Sequence, residues 1–340
     1  MSNDRENLLA LLRGKRLNPP PCFSGLISVT IAGLEAEGLQ FSEVHRDAVK
    51  MMRAAASTYR LSGFGSAVAP LDLCVEAEAL GARVDFRESS RLAEFPRVDG
   101  FLHDSLEGFT LQAQRLDSRE VVKQGRIPLV CETIGLLKEE VGQKIVVGAW
   151  VPGPFTLLSL LVETGALYLS LRKAPQQVHE ALAFLTQVLG GVGAAYRDAG
   201  ADFLTVHEMG GSPGAIGPRT FESIVLPHLQ ALMSVLPRPV VLSACGRTNG
   251  AMRLLAATGA DALSVDQTND LAASRKEVPE ALLFGNLDPV GLLSRGSAAE
   301  ITEAVRGVVR SGADAVWPGC DLHPYVPVEN LRALVRASSG

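Results

Sequence analysis

Gly200-Ala201-Asp202-Phe203-Leu204-Thr205-Val206 follows a long helix-forming stretch (175–198), and its pattern returns twice. Gly259-Ala260-Asp261 precedes Ala262-Leu263-Ser264-Val265, and Gly312-Ala313-Asp314 precedes Ala315-Val316-Trp317. The glycine suits the position just past a helix C-terminus, where a left-handed backbone costs little. The short apolar run behind each Asp reads as a strand buried on both faces. Helix, Gly-Ala-Asp and strand alternate at roughly 25–45 residues, which predicts parallel βα units.

Upstream, the rhythm is looser. Segments 22–30, 64–70 and 144–150 read as further strands. Helices are expected over 6–13, over 42–59 with Ser42 as N-cap, over 72–80 and over 128–141. Another is expected around 157–162, after the turn Pro152-Gly153-Pro154. Residues 83–126 are more polar and irregular, and read as an insertion over one barrel rim. About eight strand candidates predict an α/β chain folded as a (β/α)8 TIM-like barrel. It would form one domain over 1–340 with an N-terminal helical extension. A doubly wound open sheet is the alternative, because counting strands does not prove closure.

With 340 residues, 47% hydrophobic and 20% charged, the chain can build a sizeable core. A net charge of −5 argues against a nucleic-acid partner, since phosphate binding needs a basic face. No apolar run reaches the ~18 residues of a spanning helix, so no membrane partner is expected. Met1-Ser2-Asn3-Asp4-Arg5-Glu6 lacks the basic and apolar segments of a secretory signal. The 5 scattered cysteines fit a reducing cytoplasm better than a disulfide framework.

In such a barrel, residues at strand C-termini are the site candidates. They are Asp72, Trp150, His207, Glu208, Cys245, Asp266, Asn286, Asp288 and Cys320. Val240-Val241-Leu242-Ser243-Ala244-Cys245-Gly246 and Ala315-Val316-Trp317-Pro318-Gly319-Cys320 both end at a cysteine beside a glycine. Two converging thiolates suit a soft metal ion such as Zn2+, with Glu208 or His207 adding an oxygen or nitrogen. The bland alternative is two buried packing cysteines. Neighbours on a strand point opposite ways, so at most one of His207 and Glu208 faces the centre, and Glu208 is the expectation. Glu208 and Asn286 are the candidate catalytic residues. Gly210 and Gly211, whose N–H groups can approach an anion, are candidate cofactor-binding positions together with Asp266 and Asp288. Asn286-Leu287-Asp288-Pro289 reads equally well as a capped helix start.

Several stretches resemble the uroporphyrinogen decarboxylase-like superfamily, and within it the methylcobamide:coenzyme M methyltransferase branch. They are Phe41-Ser42-Glu43-Val44-His45-Arg46-Asp47, Val75-Glu76-Ala77-Glu78-Ala79-Leu80-Gly81 and Gly217-Pro218-Arg219-Thr220-Phe221, with Phe284-Gly285-Asn286-Leu287-Asp288-Pro289 and Pro318-Gly319-Cys320 followed by Pro327-Val328-Glu329-Asn330. The resemblance implies a barrel whose C-terminal mouth binds zinc and an acceptor thiol, and docks a separate corrinoid protein carrying the methylcorrinoid. That branch holds its zinc with a His-X-Cys motif and a distant cysteine. Here the motif reads Ser243-Ala244-Cys245, and a serine is a poor zinc ligand. The implied function is methyl transfer from a corrinoid protein to a small-molecule acceptor, a zinc-activated thiol such as coenzyme M. Tetrahydrofolate is an alternative acceptor. A metal-free tetrapyrrole decarboxylase, with Arg219 and Arg247 as its rim cations, and an inactive corrinoid-protein-binding barrel are the competing readings.

Overall fold

A computed structural model of the chain describes residues 4–90 and 93–339. Seven parallel strands form one sheet in chain order: β1 Ser66–Ala69, β2 Val146–Pro152, β3 Phe203–Glu208, β4 Val240–Ala244, β5 Ala262–Val265, β6 Leu282–Leu287 and β7 Ala315–Pro318. The expected strand over 22–30 is corrected. Cys22 makes one isolated bridge to Val316, and the rest of that segment forms no ladder. It nevertheless fills the gap between β7 and β1. Val316 donates to the Pro21 carbonyl at 2.9 Å, and Phe23 donates to the Val316 carbonyl at 3.3 Å. On the other side, the Ser66 hydroxyl accepts from Ser24 N–H at 2.9 Å and donates to the Ser24 carbonyl at 2.7 Å. The TIM-like barrel therefore has seven true staves and one irregular one.

The Gly-Ala-Asp repeat explains how the strands are aligned. Gly200, Gly259 and Gly312 have φ of +115°, +83° and +90°, the left-handed region that ends a helix at low cost to a glycine. Each following aspartate turns back onto the preceding strand. Asp202 accepts from Val147 N–H at 2.9 Å, Asp261 from Val240 at 2.7 Å and Asp314 from Leu283 at 2.9 Å. The N–H groups of the same aspartates donate to the carbonyls of those same residues at 2.6, 2.9 and 2.8 Å. Cations close each bracket: Arg5 and Lys138 on Asp202, Arg238 on Asp261, Arg275 and Arg16 on Asp314.

Inside the barrel, Phe23, Phe203, Phe284 and Trp317 pack together, with Phe284 and Trp317 stacked at 5.1 Å. The N-terminal helix Asp4–Leu12 lays Leu8, Leu11 and Leu12, one helical face, onto this cluster. Gly25 lies against Thr205, Phe203 and Trp317, where any side chain would collide. Outside, helix Pro175–Asp198 is long and apolar enough to cross a membrane, which corrects the expectation that no such stretch exists. It packs on β2 and β3, burying Leu182, Leu185 and Leu189.

Two helix starts differ from expectation. Residues Phe41–Glu43 form a single 3-10 turn, and helix Ala48–Ser62 begins instead at Asp47, which accepts from Lys50 N–H at 2.8 Å. The helix expected over 72–80 shrinks to Val75–Ala79, because Asp72 spends one oxygen on Cys74 N–H at 2.9 Å. Within 83–126, strands Val84–Asp85 and Arg97–Val98 pair antiparallel, and helices Leu106–Ala113 and Ser118–Val121 follow. Residues 91–92 of that insertion, and 1–3 of the N-terminal stretch, lie outside the described residues.

Helix Val75–Ala79 also buries Glu76, which accepts the Tyr196 hydroxyl at 3.2 Å. Burial pushes its carboxyl up to about 8, against 4.5 ordinarily. The folded protein then holds a proton that the unfolded chain has already released between those two values. Stability therefore falls as pH rises through that window. Glu76→Gln cannot titrate. It is expected to match wild type near pH 5 and to exceed it at pH 9 by on the order of 3 kcal/mol. Thermal unfolding across that range checks this, and parallel curves for the two proteins would refute it.

Candidate metal centre at the barrel mouth

Alternation along β3 turns Thr205 and His207 inward, and Val206 and Glu208 outward. His207 is in register with Ser243 of β4, which is in register with Ser264 of β5. Cys245 extends the inward row one step past the end of β4. Cys320 lies past the end of β7, beyond Pro318 and Gly319. The ligand atoms of His207, Cys245 and Cys320 all lie within 4.8 Å of one another, with His207 Nε2 3.0 Å from Cys245 Sγ. His207 is buried and both cysteines are half-buried.

The electrostatics are those of a preorganised donor set. The Cys320 pKa is lowered, first by its hydrogen bond with Cys245 and then by His207, against the opposing effect of burial. Cys245 is pushed up, because it shares its proton with Cys320 and is buried. Burial alone would lower the His207 pKa, but the hydrogen bond and charge of Cys320 outweigh it and the net shift is upward. Trp150 supports the imidazole from the side, edge-to-face with ring centroids 6.0 Å apart. Its indole N–H is anchored on the Pro70 carbonyl at 2.8 Å.

The other expected residues lie elsewhere. Glu208 does not face the centre, which corrects the choice between the two neighbours: His207 does. The Glu208 carboxylate accepts the Thr156 hydroxyl at 2.6 Å and Gly211 N–H at 2.9 Å, tying the end of β3 to helix Pro154–Leu161. Burial raises its pKa. Gly210 N–H donates to Thr156 Oγ1 at 3.1 Å, so neither glycine offers its N–H to an anion in the mouth. Asp288 accepts from Val290 and Gly291 N–H at 2.9 and 2.8 Å, the geometry of a capped turn. Asp266 accepts from Gly246 N–H, and Asn286 donates to the Asp266 and Asn269 carbonyls at 3.0 and 2.9 Å. These two bear on the cluster through the backbone. Arg219 and Arg247 are both exposed. Asn269, which sequence reasoning missed, is buried beside Gly246; only a turn-prone Asp-Gln-Thr-Asn run marked it.

One imidazole and two thiols at this spacing fit zinc: soft sulfur and borderline nitrogen donors, with three protein ligands leaving one position open. Among known proteins, the family model described as Uroporphyrinogen decarboxylase (URO-D) matches residues 3–339. The chain is 26% identical over 340 residues to the methylcobamide:CoM methyltransferase MtbA of Methanosarcina acetivorans, covering 98% of this chain and 97% of that one. It is 28% identical over 336 residues to MtaA of Methanosarcina barkeri, a protein of the same title, covering 98% and 96%. A solved methyltransferase from Methanosarcina mazei superposes with a TM-score of 0.91 at 26% identity, covering 99% of this chain and 98% of that one.

Proposed function

The chain belongs to the uroporphyrinogen decarboxylase (URO-D) family, and from that premise we propose that it is a methyltransferase that moves a methyl group from a methylated corrinoid protein to a small thiol such as coenzyme M. The observation that carries this reading is the convergence of His207, Cys245 and Cys320 within 4.8 Å at the barrel mouth. The near full-length relatives titled methylcobamide:CoM methyltransferase support the same chemistry. Residues 1–340 act as one barrel domain, and a cytoplasmic setting suits a site that needs two reduced cysteines.

His207, Cys245 and Cys320 would hold the zinc. When bound there, zinc lowers the pKa of an acceptor thiol and so makes it a nucleophile. The chain's own part is placement. Trp150 holds the imidazole in one orientation, and Glu208 keeps the end of β3 from shifting. Asn286 acts at one remove, through the loop it anchors. In the transfer itself, the acceptor sulfur's electron pair forms the new S–C bond. The carbon–cobalt bond breaks with its pair left on the corrinoid.

His207 stands in register with Ser243, so the imidazole expected at 243 is supplied from the neighbouring strand. His207→Ser is expected to weaken zinc binding by at least about 10-fold, and adding Ser243→His to restore most of it. Zinc affinity, read by competition with a chelator, measures both, and a wild-type affinity in His207→Ser alone would remove His207 from the ligand set. The function is tested with methylcobalamin as donor and either coenzyme M or tetrahydrofolate as acceptor. Methylation of the thiol is expected. Methylation of tetrahydrofolate instead, or decarboxylation of uroporphyrinogen, would overturn the reading.

A further inference from the structure

Cys245 and Cys320 follow β4 and β7, which are not neighbours: β5 and β6 stand between them. No ladder hydrogen bond therefore sets the distance between the two sulfurs. Segment 266–269, the turn that follows β5, lies in that gap.

On its Cys245 side this turn grips the backbone. The Asp266 carboxylate accepts Gly246 N–H, and Asn269 Nδ2 donates to the Gly246 carbonyl at 2.9 Å. Asn269 Oδ1 accepts from Thr248 N–H at 2.7 Å, the Thr248 hydroxyl at 3.0 Å and Asn249 N–H at 3.1 Å. One buried amide thus ties down Gly246, Thr248 and Asn249, the residues that follow Cys245. On its Cys320 side the turn is a wall. A Cβ at Gly319 would meet Gln267 N at 2.8 Å and Gln267 Oε1 at 2.6 Å, so the residue before Cys320 lies directly on the loop's backbone.

The turn is itself stiff. Thr268 N–H donates to Asp266 Oδ1 at 2.9 Å, and Asn269 Nδ2 to the same oxygen at 3.1 Å. Asn286 Nδ2 holds it from β6 by the Asp266 and Asn269 carbonyls at 3.0 and 2.9 Å. Asp266 and Asn269 are 7% and 6% exposed, so these polar groups are locked against one another rather than against water.

We infer that segment 266–269 is a spacer that fixes the separation of Cys245 and Cys320, with Asn269 as its principal positioning residue. The spacing role stands on the geometry alone; its effect on methyl transfer rests on the function proposed above. The side-chain hydrogen bonds of Asn269 go to backbone groups and to the side chains of Asp266 and Thr248, not to either sulfur. It acts through the Gly246 backbone on one side, while Gly319 transmits contact on the other.

The test reads the sulfur pair without metal, corrinoid or acceptor. Phenylarsine oxide is captured by two thiols at once: two As–S bonds form, and the arsenic-bound oxygen leaves as water with the two thiol protons. Metal-free wild type is expected to capture it at Cys245 and Cys320, shown by protection of those two from iodoacetamide in peptide mapping. Asn269→Asp keeps the acceptor oxygen and loses the donor that binds Gly246. Gly319→Ala pushes on the opposite side of the loop. Each is expected to weaken capture at least about 10-fold, and zinc affinity by a similar factor, in protein that circular dichroism shows to be folded, although both substitutions lower the thermal midpoint by crowding or charging the buried loop. Capture as tight as wild type in both variants would overturn the spacer. Weakened capture in a protein that transfers no methyl group to any thiol would leave the spacer standing and remove the proposed function.

Discussion

Cys320→Ser is expected to yield a folded protein that binds no zinc and transfers methyl groups to a thiol about three orders of magnitude more slowly than wild type, the rate equivalent of several kcal/mol of lost charge stabilisation. Folding should survive because Cys320 is half-buried and belongs to neither apolar cluster. Serine is close in size but offers zinc a weak ligand in place of a sulfur. The metal-free variant has a signature of its own. His207 owes its raised pKa to the hydrogen bond and charge of Cys320, so its imidazole should lose its proton at lower pH than in metal-free wild type. Zinc analysis, circular dichroism and imidazole NMR separate these effects. A variant that keeps a full zinc complement would show that the sulfur is not a ligand.

The second large effect lies away from the sulfurs. Asp72 is fully buried and accepts both terminal nitrogens of Arg126, at 2.6 and 3.0 Å. His45 Nδ1 lies 3.0 Å from the same carboxylate, and Glu78 takes Arg126 Nε at 2.6 Å. Arg126 also stacks on Phe86 of the rim insertion at 4.8 Å. Burial alone would raise the Asp72 pKa. The hydrogen bonds from His45 and Arg126 outweigh it and hold the carboxyl well below the usual carboxylate range. The folded-state pKa is thus depressed, so this stability is present in full above the unfolded value near 3.8 and is lost as pH falls through it towards the folded value. Arg126→Met leaves the carboxylate buried without its main partner. It is expected to cost about 3–5 kcal/mol at neutral pH. With Asp72's pKa released upward, less stability remains to be lost on acidification, so the gap between variant and wild type should narrow as pH falls below the unfolded value near 3.8. Denaturant unfolding from about pH 2 to pH 8 measures both, and a variant within about 1 kcal/mol of wild type at pH 7 would show that the network contributes little.

How much of this was legible in the residues depended on how local the physics is. The Gly-Ala-Asp units could be read because a left-handed glycine and a following apolar run are local signals, and the three strands they predict are present. The irregular stave at 22–30 could not: its apolar residues suit a strand, but they are held by Val316 on one side and by a serine hydroxyl on the other. The two cysteines stood out as soft side chains at strand ends, and they do converge. Choosing between His207 and Glu208 needed the phase of the alternation. That phase is set by pairing with β2 and β4, not by β3's own residues. Asn269 left almost no trace, because its importance lies in which backbone groups the barrel carries to it.

The aspartate brackets at the foot of the barrel have a consequence for its mouth. Strand pairing is indexed there, where Asp202, Asp261 and Asp314 each clamp one particular residue of the strand before. Only five positions separate Asp202 from His207 along the chain. A single residue inserted between them would keep the clamp and invert every side chain above it. Glu208's carboxylate would then swing into the mouth, and the imidazole would turn out towards the helices. The chemistry at the top is therefore calibrated from below: the foot of the barrel serves as the zero mark, and His207 is a graduation on its scale.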